Sequence, residues 1–292
     1  MIDYIKDNYM QGTGNGDTWH VRIDPPKGPV LSYYEEAKKT AEYVWANKTG
    51  HLYLLYSGGM DSEYVFSLFL ELGFNFTPVV IKLGNYNEHD LKYAFDFCSS
   101  KGVDPKIIEV DFDHFVKSGK IVDIATSIKC SGHQIPATMH IAEQLDGFVV
   151  LGNDPPYMKL DTRENVWKLE ELELIHSILT FFKTRRLEGC PFFLSYTPEM
   201  MLSFLLDPTM VDLANHRIPG KLGTNTTKVH VYNNGSNYHL VNRPKYTGYE
   251  IIEKNDIFQH ENLKIFEDFS KMWGGAYYEP YHQLVERLSC TQ

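Results

Sequence analysis

Cysteine is scarce in this chain of 292 residues: Cys98, Cys130, Cys190 and Cys290 are the only four, far apart, with no Cys-x-x-Cys pair. That argues against a zinc site or a disulfide framework and predicts reduced, mostly buried thiols. Long apolar runs are lacking too, since nothing approaches the roughly 18–20 residues a membrane span needs. The first residues, Met1-Ile2-Asp3-Tyr4-Ile5-Lys6-Asp7, hold no basic stretch followed by an apolar one, so a cytoplasmic protein is expected, with no membrane partner. Positive charge is in deficit, with 28 Lys and Arg against 38 Asp and Glu and a formal net charge of −10. Such a surface repels phosphate backbones and disfavours a nucleic-acid partner unless a local basic patch overrides it. What the chain does have is 43% hydrophobic and 14% aromatic residues, enough for a sizeable folded core.

Patterning divides the chain at about residues 50 and 156. Residues 1–50 form a lead-in segment: a Gly/Asn-rich start, a short strand at 19–23, Pro25-Pro26, and a helix over 33–47 with Ala37, Ala41, Val44 and Trp45 on one stripe. Residues 51–156 alternate short apolar runs with amphipathic stretches. Strands are predicted at 51–56, 77–83, 106–110 and 147–152, with helices at 62–72 and 88–101 and one or two more between 111 and 145. Four strand-plus-helix units predict an α/β domain with a doubly wound parallel sheet, whose ligands bind outside the carboxyl ends of the strands. Residues 157–292 read as a mainly helical substrate or lid region, with helices at 168–186, 197–206, 261–272 and 281–288. Within it, 229–232 and 238–241 flank Asn233-Asn234-Gly235-Ser236-Asn237, which predicts a β-hairpin on an Asn-Gly turn.

The strongest chemical signal lies where the first of these strands ends, at Tyr56-Ser57-Gly58-Gly59-Met60-Asp61-Ser62. A strand that turns directly into a helix presents unpaired N–H groups and the positive end of the helix dipole to one point, which suits an anion. Gly58 and Gly59 let backbone approach phosphate oxygens, and Ser57 and Ser62 add hydroxyl donors. Asp61 beside phosphate calls for an intervening cation, and Mg²⁺ bridging carboxylate and phosphates is the natural choice. The bland alternative is a tight turn with an aspartate that favours a helix N-terminus. No lysine follows the glycines, so this is neither the Gly-x-x-x-x-Gly-Lys loop nor the Gly-x-Gly-x-x-Gly turn.

At these residues the chain resembles the PP-loop ATP pyrophosphatases, whose signature Ser-Gly-Gly-x-Asp-Ser is matched without departure by Ser57-Gly58-Gly59-Met60-Asp61-Ser62. Asn87-Glu88 and Leu151-Gly152-Asn153-Asp154 are similar to segments of the asparagine synthetase ATP domain, an N-type member, so the likeness covers about residues 51–154. The resemblance implies that Ser57, Gly58, Gly59, Asp61, Ser62 and Gly152 bind ATP, and that strand ends near Tyr56, Ile81 and Leu83 meet adenine. It further implies cleavage between the α- and β-phosphates, AMP passing to an oxygen of the substrate and pyrophosphate leaving. Departures qualify it. Residue two is Ile2, with about fifty residues ahead of the loop, so the nucleophilic cysteine of a glutaminase domain is missing and an external nitrogen donor is expected. Asn153 stands where asparagine synthetases place a glutamate that acts on the ammonia step, and asparagine cannot serve as a base.

Asp154 is either a second carboxylate for Mg²⁺ or a turn residue ahead of Pro155-Pro156, and Glu88 is either functional or simply favoured at a helix start. Charge build-up on leaving pyrophosphate calls for cations. Arg217, Lys221, Lys228, Arg243 and Lys245, with Glu250 as the only acid among them, reverse the overall sign between residues 216 and 250. Arg243 and Lys245 are the residues expected on the pyrophosphate, the alternative being a solvated basic loop; Lys129 and His133 are weaker candidates for lining a substrate cleft. The reading is an ATP- and Mg²⁺-dependent enzyme that adenylates a small-molecule carboxylate or carbonyl for amide or C–N bond formation. A tRNA or small-molecule thiolation enzyme and a non-catalytic ATP- or AMP-binding module are the alternatives. The helical C-terminal half builds either an acceptor pocket or the interface of a homo-oligomer.

Overall fold

A computed structural model describes residues 10–11, 20–21, 23–153, 155–219, 223–244, 248–254, 261–273 and 275–290. Strands β1 (Met10–Gln11) and β2 (His20–Val21) pair antiparallel; of the strand predicted at 19–23, Trp19 and Arg22 lie outside the described residues and Ile23 carries no strand. The main sheet comprises β3 (His51–Leu55), β4 (Phe76–Leu83), β5 (Lys106–Val110), β6 (Gly147–Leu151) and β9 (Gly189–Cys190), all parallel, in the order β5-β4-β3-β6-β9. The chain moves outward from β3 to β5, then crosses to the other side of β3 to start β6. The carboxyl ends of β3 and β6 therefore flank the topological switch point, where a crevice opens in doubly wound sheets. Val and Leu fill the central strands because both sheet faces are covered: Leu52, Leu54, Val149 and Val150 are fully buried or nearly so. Edge strand β5 is the exception, with Ile107 exposed.

The helices begin where local chemistry starts them. Ser32 caps Tyr33–Asn47 in a capping box with Glu35; Asp111, Thr197 and Asp207 cap Phe112–Lys117, Pro198–Leu206 and Pro208–Ala214 with their side chains. The helix after β3, Met60–Glu71, starts at Gly59 without a side-chain cap, two residues earlier than predicted. Three helices, Phe112–Lys117, Lys120–Ile128 and Ile135–Ala142, occupy the stretch between β5 and β6. No helix among the described residues is long and apolar enough to cross a membrane.

Two expectations for the C-terminal half are corrected. Residues 229–232 are not a strand: Lys228–Asn233 is a helix, and 238–241 carries no strand. Alternation of Val229 and Val231 imitates a strand, yet both are buried together with Tyr232, and Gly235, at φ +78°, ends the helix rather than turning a hairpin. The antiparallel hairpin lies elsewhere, in β7 (Met158–Asp161) and β8 (Val166–Glu171), with β10 (Tyr277–Pro280) on its other edge. The helix predicted over 168–186 therefore starts late, at Leu174, and ends at Arg185. Lys, Leu and Glu favour helix intrinsically, but residues 168–171 are held by pairing to the neighbouring β7 and the distant β10.

Candidate functional site

The 57–62 loop sits at the switch point. Tyr56 N–H still donates to Val79 carbonyl at 2.8 Å, and beyond it the chain leaves the sheet. Ser57 N–H donates to Ser62 Oγ (3.3 Å), Gly59 N–H donates to Ser57 Oγ (3.2 Å), and the two hydroxyls lie 3.1 Å apart. Among the described residues no carbonyl takes the Ser57 to Gly59 amides; those that are engaged face hydroxyls, which are readily exchanged for a stronger acceptor. Two close approaches fix the loop. Gly58, at φ +75°, leaves no room for a Cβ against the Asp90 carbonyl (2.8 Å) and Ala94 N (2.9 Å), and a Cβ on Gly152 would stand 2.7 Å from Ser62 Cα. The glycine after β6 thus lets the helix start press against the end of its neighbouring strand.

Asp61 opens that helix with both carboxylate oxygens taken. Lys228 Nζ is 2.6 Å from Oδ2, and Tyr232 donates its hydroxyl to Oδ1 at 2.6 Å. Lys228 and Tyr232 are one helical turn apart and so share a face. Tyr232 is immobilised by stacking on Tyr64 (4.6 Å between centroids) and Tyr33 (6.0 Å), and burial holds its hydroxyl well above the usual phenol range.

Arg243 reaches the opposite side of the loop. One guanidinium nitrogen donates to the Gly58 carbonyl at 2.7 Å, another pairs with Glu63 Oε2 at 2.6 Å, and the group lies over the Tyr93 ring. Glu63 is buried, and burial raises its carboxyl pKa against the opposing pull of Arg243. Tyr56 also touches Glu63 through its hydroxyl (3.3 Å), while its ring packs on Phe66 and Phe97 in the core. At the end of β4, the Asn87 side chain bonds the Ile81 carbonyl (2.9 Å) and the Leu83 N–H (2.8 Å), tying that strand end to the following helix.

Of the basic residues between 216 and 250, Lys228 and Arg243 converge on the loop, whereas Arg217 pairs with Asp212. Lys221, Lys245 and Asp154 lie outside the described residues. Glu88 is exposed and faces a groove shared with Lys82, Phe95, Ile107 and Glu109. Lys129 offers its carbonyl to the Trp273 indole (2.8 Å), and His133 lies 2.6 Å from Glu253. Tyr232 and Glu63 escaped the sequence reading. The signal for Tyr232 was its i,i+4 spacing from Lys228, visible only once that stretch is read as helix.

ATP with Mg²⁺ fits this donor set. Amides, two hydroxyls and two cations converge on the loop. Among the described residues no group of three or more His, Cys, Asp or Glu could cage a metal; the carboxylate at the loop is Asp61.

No family model and no curated protein matches the chain. Among solved structures it is similar to a predicted subunit of tRNA methyltransferase from Methanocaldococcus jannaschii (18% identity, 49% of this chain and 68% of that one, TM-score 0.30). It is also similar to NMN synthetase from Francisella tularensis (13%, 73% and 98%, TM-score 0.32). A third is U34-tRNA thiolase NcsA from Methanococcus maripaludis with its [4Fe-4S] cluster (14%, 91% and 88%, TM-score 0.31). Likeness at this level assigns nothing by itself; the fold rests on the strand order and register of the chain. That parallel sheet, with the 57–62 loop at its switch point, agrees with the resemblance to the PP-loop ATP pyrophosphatases that those six residues carry.

Proposed function

We propose that the protein is an ATP pyrophosphatase that adenylates a small-molecule carboxylate or carbonyl, with Mg²⁺, for amide or C–N bond formation with an external nitrogen donor. The observation that carries this reading is the uncapped helix start at the switch point, where amides free of carbonyl partners, two serine hydroxyls and the Asp61 carboxylate meet. In this reading Ser57, Gly58, Gly59 and Ser62 hold the phosphates, and Gly152 lets the helix start lie close to β6. Asp61, with Asp154, holds the metal, which would offset charge on the departing pyrophosphate. Arg243 holds the Gly58 carbonyl and so sets the loop, and Lys245, two residues on, is assigned with it to the pyrophosphate.

The test is incubation of the protein with α-labelled and γ-labelled ATP, Mg²⁺ and a panel of carboxylate and carbonyl metabolites. Acceptor-dependent appearance of AMP and pyrophosphate supports the proposal. ADP and phosphate would overturn it, and saturable binding of unchanged ATP across the panel would favour a non-catalytic nucleotide-binding module. Asp61→Ala should abolish pyrophosphate release with little change in the circular dichroism spectrum, and full activity in that variant would remove the metal role.

A further inference from the structure

The contacts of Asp61 raise a question of occupancy, because a carboxylate oxygen that holds an ammonium at 2.6 Å is not also free to hold a divalent cation beside it. Two cations on one oxygen repel strongly in a site of reduced dielectric. The partners of Asp61 differ in freedom. Tyr232 is fully buried and stacked on two other rings. Lys228 is buried as well, with 10% of its side-chain surface exposed, but its four-carbon stem has the rotatable bonds that a stacked ring lacks, and its backbone is anchored through the N–H donated to the Thr224 carbonyl (3.1 Å). Thr224 is itself fastened to Met158 by two hydrogen bonds. One donor is a rigid stacked ring, and the other is a charge on a flexible stem.

We propose that Lys228 is a cation placeholder: it neutralises Asp61 while the site is empty and is exchanged for Mg²⁺ on Oδ2 when the metal loads, with Tyr232 remaining on Oδ1. Without such a partner, the carboxylate would stand uncompensated against the buried face of the loop helix, at a cost in desolvation. With it, the empty site is neutral and stable, and loading becomes a swap of one cation for another. The displaced ammonium stays in the site, on a stem rooted beside the loop, where it adds to the positive charge offered to phosphates. The idea rests on the metal-nucleotide reading above but makes a claim of its own, that Asp61 is masked against metal by Lys228.

The masking predicts effects of opposite sign. Mn²⁺, a paramagnetic stand-in for Mg²⁺, is titrated by electron paramagnetic resonance without nucleotide against wild type, Lys228→Met, Lys228→Arg and Tyr232→Phe. Lys228→Met should bind Mn²⁺ at least fivefold more tightly than wild type, Lys228→Arg about as weakly as wild type, and Tyr232→Phe should gain less than Lys228→Met. Metal-ATP affinity should fall in Lys228→Met. Unchanged or weaker Mn²⁺ binding by Lys228→Met overturns the proposal. A measurement on the wild type guards against a variant that does not fold. Reductive methylation of Lys228, followed by peptide mass spectrometry, should rise severalfold at metal concentrations that the Mn²⁺ titration shows to saturate the wild-type site, and an unchanged yield at saturation again overturns the placeholder. Neither the Mn²⁺ titration nor the labelling contains nucleotide, so both stand or fall apart from the ATP assay.

Discussion

Gly58 and Gly73 form a matched pair that isolates what the loop demands of its backbone. Both have positive φ, +75° and +67°, so alanine at either position meets the same left-handed penalty of roughly 1–2 kcal/mol. Their surroundings differ. A Cβ at Gly73, where the loop helix closes through the bond from Phe74 N–H to the Phe69 carbonyl, finds nothing within 4 Å, whereas one at Gly58 meets the Asp90 carbonyl at 2.8 Å, Ala94 N at 2.9 Å and Ala94 Cβ at 3.2 Å. These are mostly backbone atoms of the helix Glu88–Lys101 and cannot yield as a side-chain tip does, so overpacking adds roughly 1–3 kcal/mol. Equilibrium urea unfolding should therefore show a loss of roughly 1–2 kcal/mol for Gly73→Ala and roughly 2–5 kcal/mol for Gly58→Ala. Relief at residue 58 comes only from the loop moving off that helix. Gly58→Ala should thus weaken metal-ATP binding by about tenfold or more, ~1.4 kcal/mol, measured by titration calorimetry below the unfolding transition, while Gly73→Ala leaves it unchanged. Equal stability losses, or wild-type nucleotide affinity in Gly58→Ala, would refute the argument that the loop is braced by that helix.

Two further outcomes follow from the charged and ionisable groups. Burial already lifts the Glu63 pKa above its ordinary 4.5, with Arg243 opposing; a carboxyl raised on folding supports stability below the unfolded value and loses that support as pH rises through the folded one. Arg243→Met removes the opposing charge and raises the folded value further. The stability gap between this variant and wild type should then widen from pH 5 to pH 8 in urea midpoints and flatten when Glu63→Gln is added; a pH-independent gap would contradict the buried pair. Among the thiols, Cys290 is exposed and Cys98, Cys130 and Cys190 are buried, with burial pushing Cys98 up to about 11 and Cys130 up to about 12. One of the four should react promptly with a disulfide reagent at pH 8 in the native protein, and all four in denaturant; prompt reaction of two or more would contradict the packing.

Local sequence carried the loop half of the candidate site. An apolar strand, two glycines and an uncapped helix start lie within about twenty residues, and their hydrogen bonds, from Ser57 N–H to Ser62 Oγ and from Gly59 N–H to Ser57 Oγ, close over two to five residues. The central parallel strands β3, β4 and β6 were legible for the same reason: each is largely buried and reads as a short apolar run. Strand β9, two residues long, offers too little pattern to read.

Tertiary structure decided which residues answer the loop. Lys228 meets Asp61 across 167 positions and Arg243 meets the Gly58 carbonyl across 185; the local pattern points to Arg243, but nothing local singles out Lys228 among the neighbouring cations. Their selection depends on whether 228–233 coils or extends. Alternating valines favour extension, but burial of Val229, Val231 and Tyr232 against the rest of the core outweighs that intrinsic preference. The β7-β8-β10 sheet makes the same point, since its third strand arrives from more than a hundred residues away. Short-range patterning determined where an anion can be gripped; long-range burial alone determined which charges stand beside it.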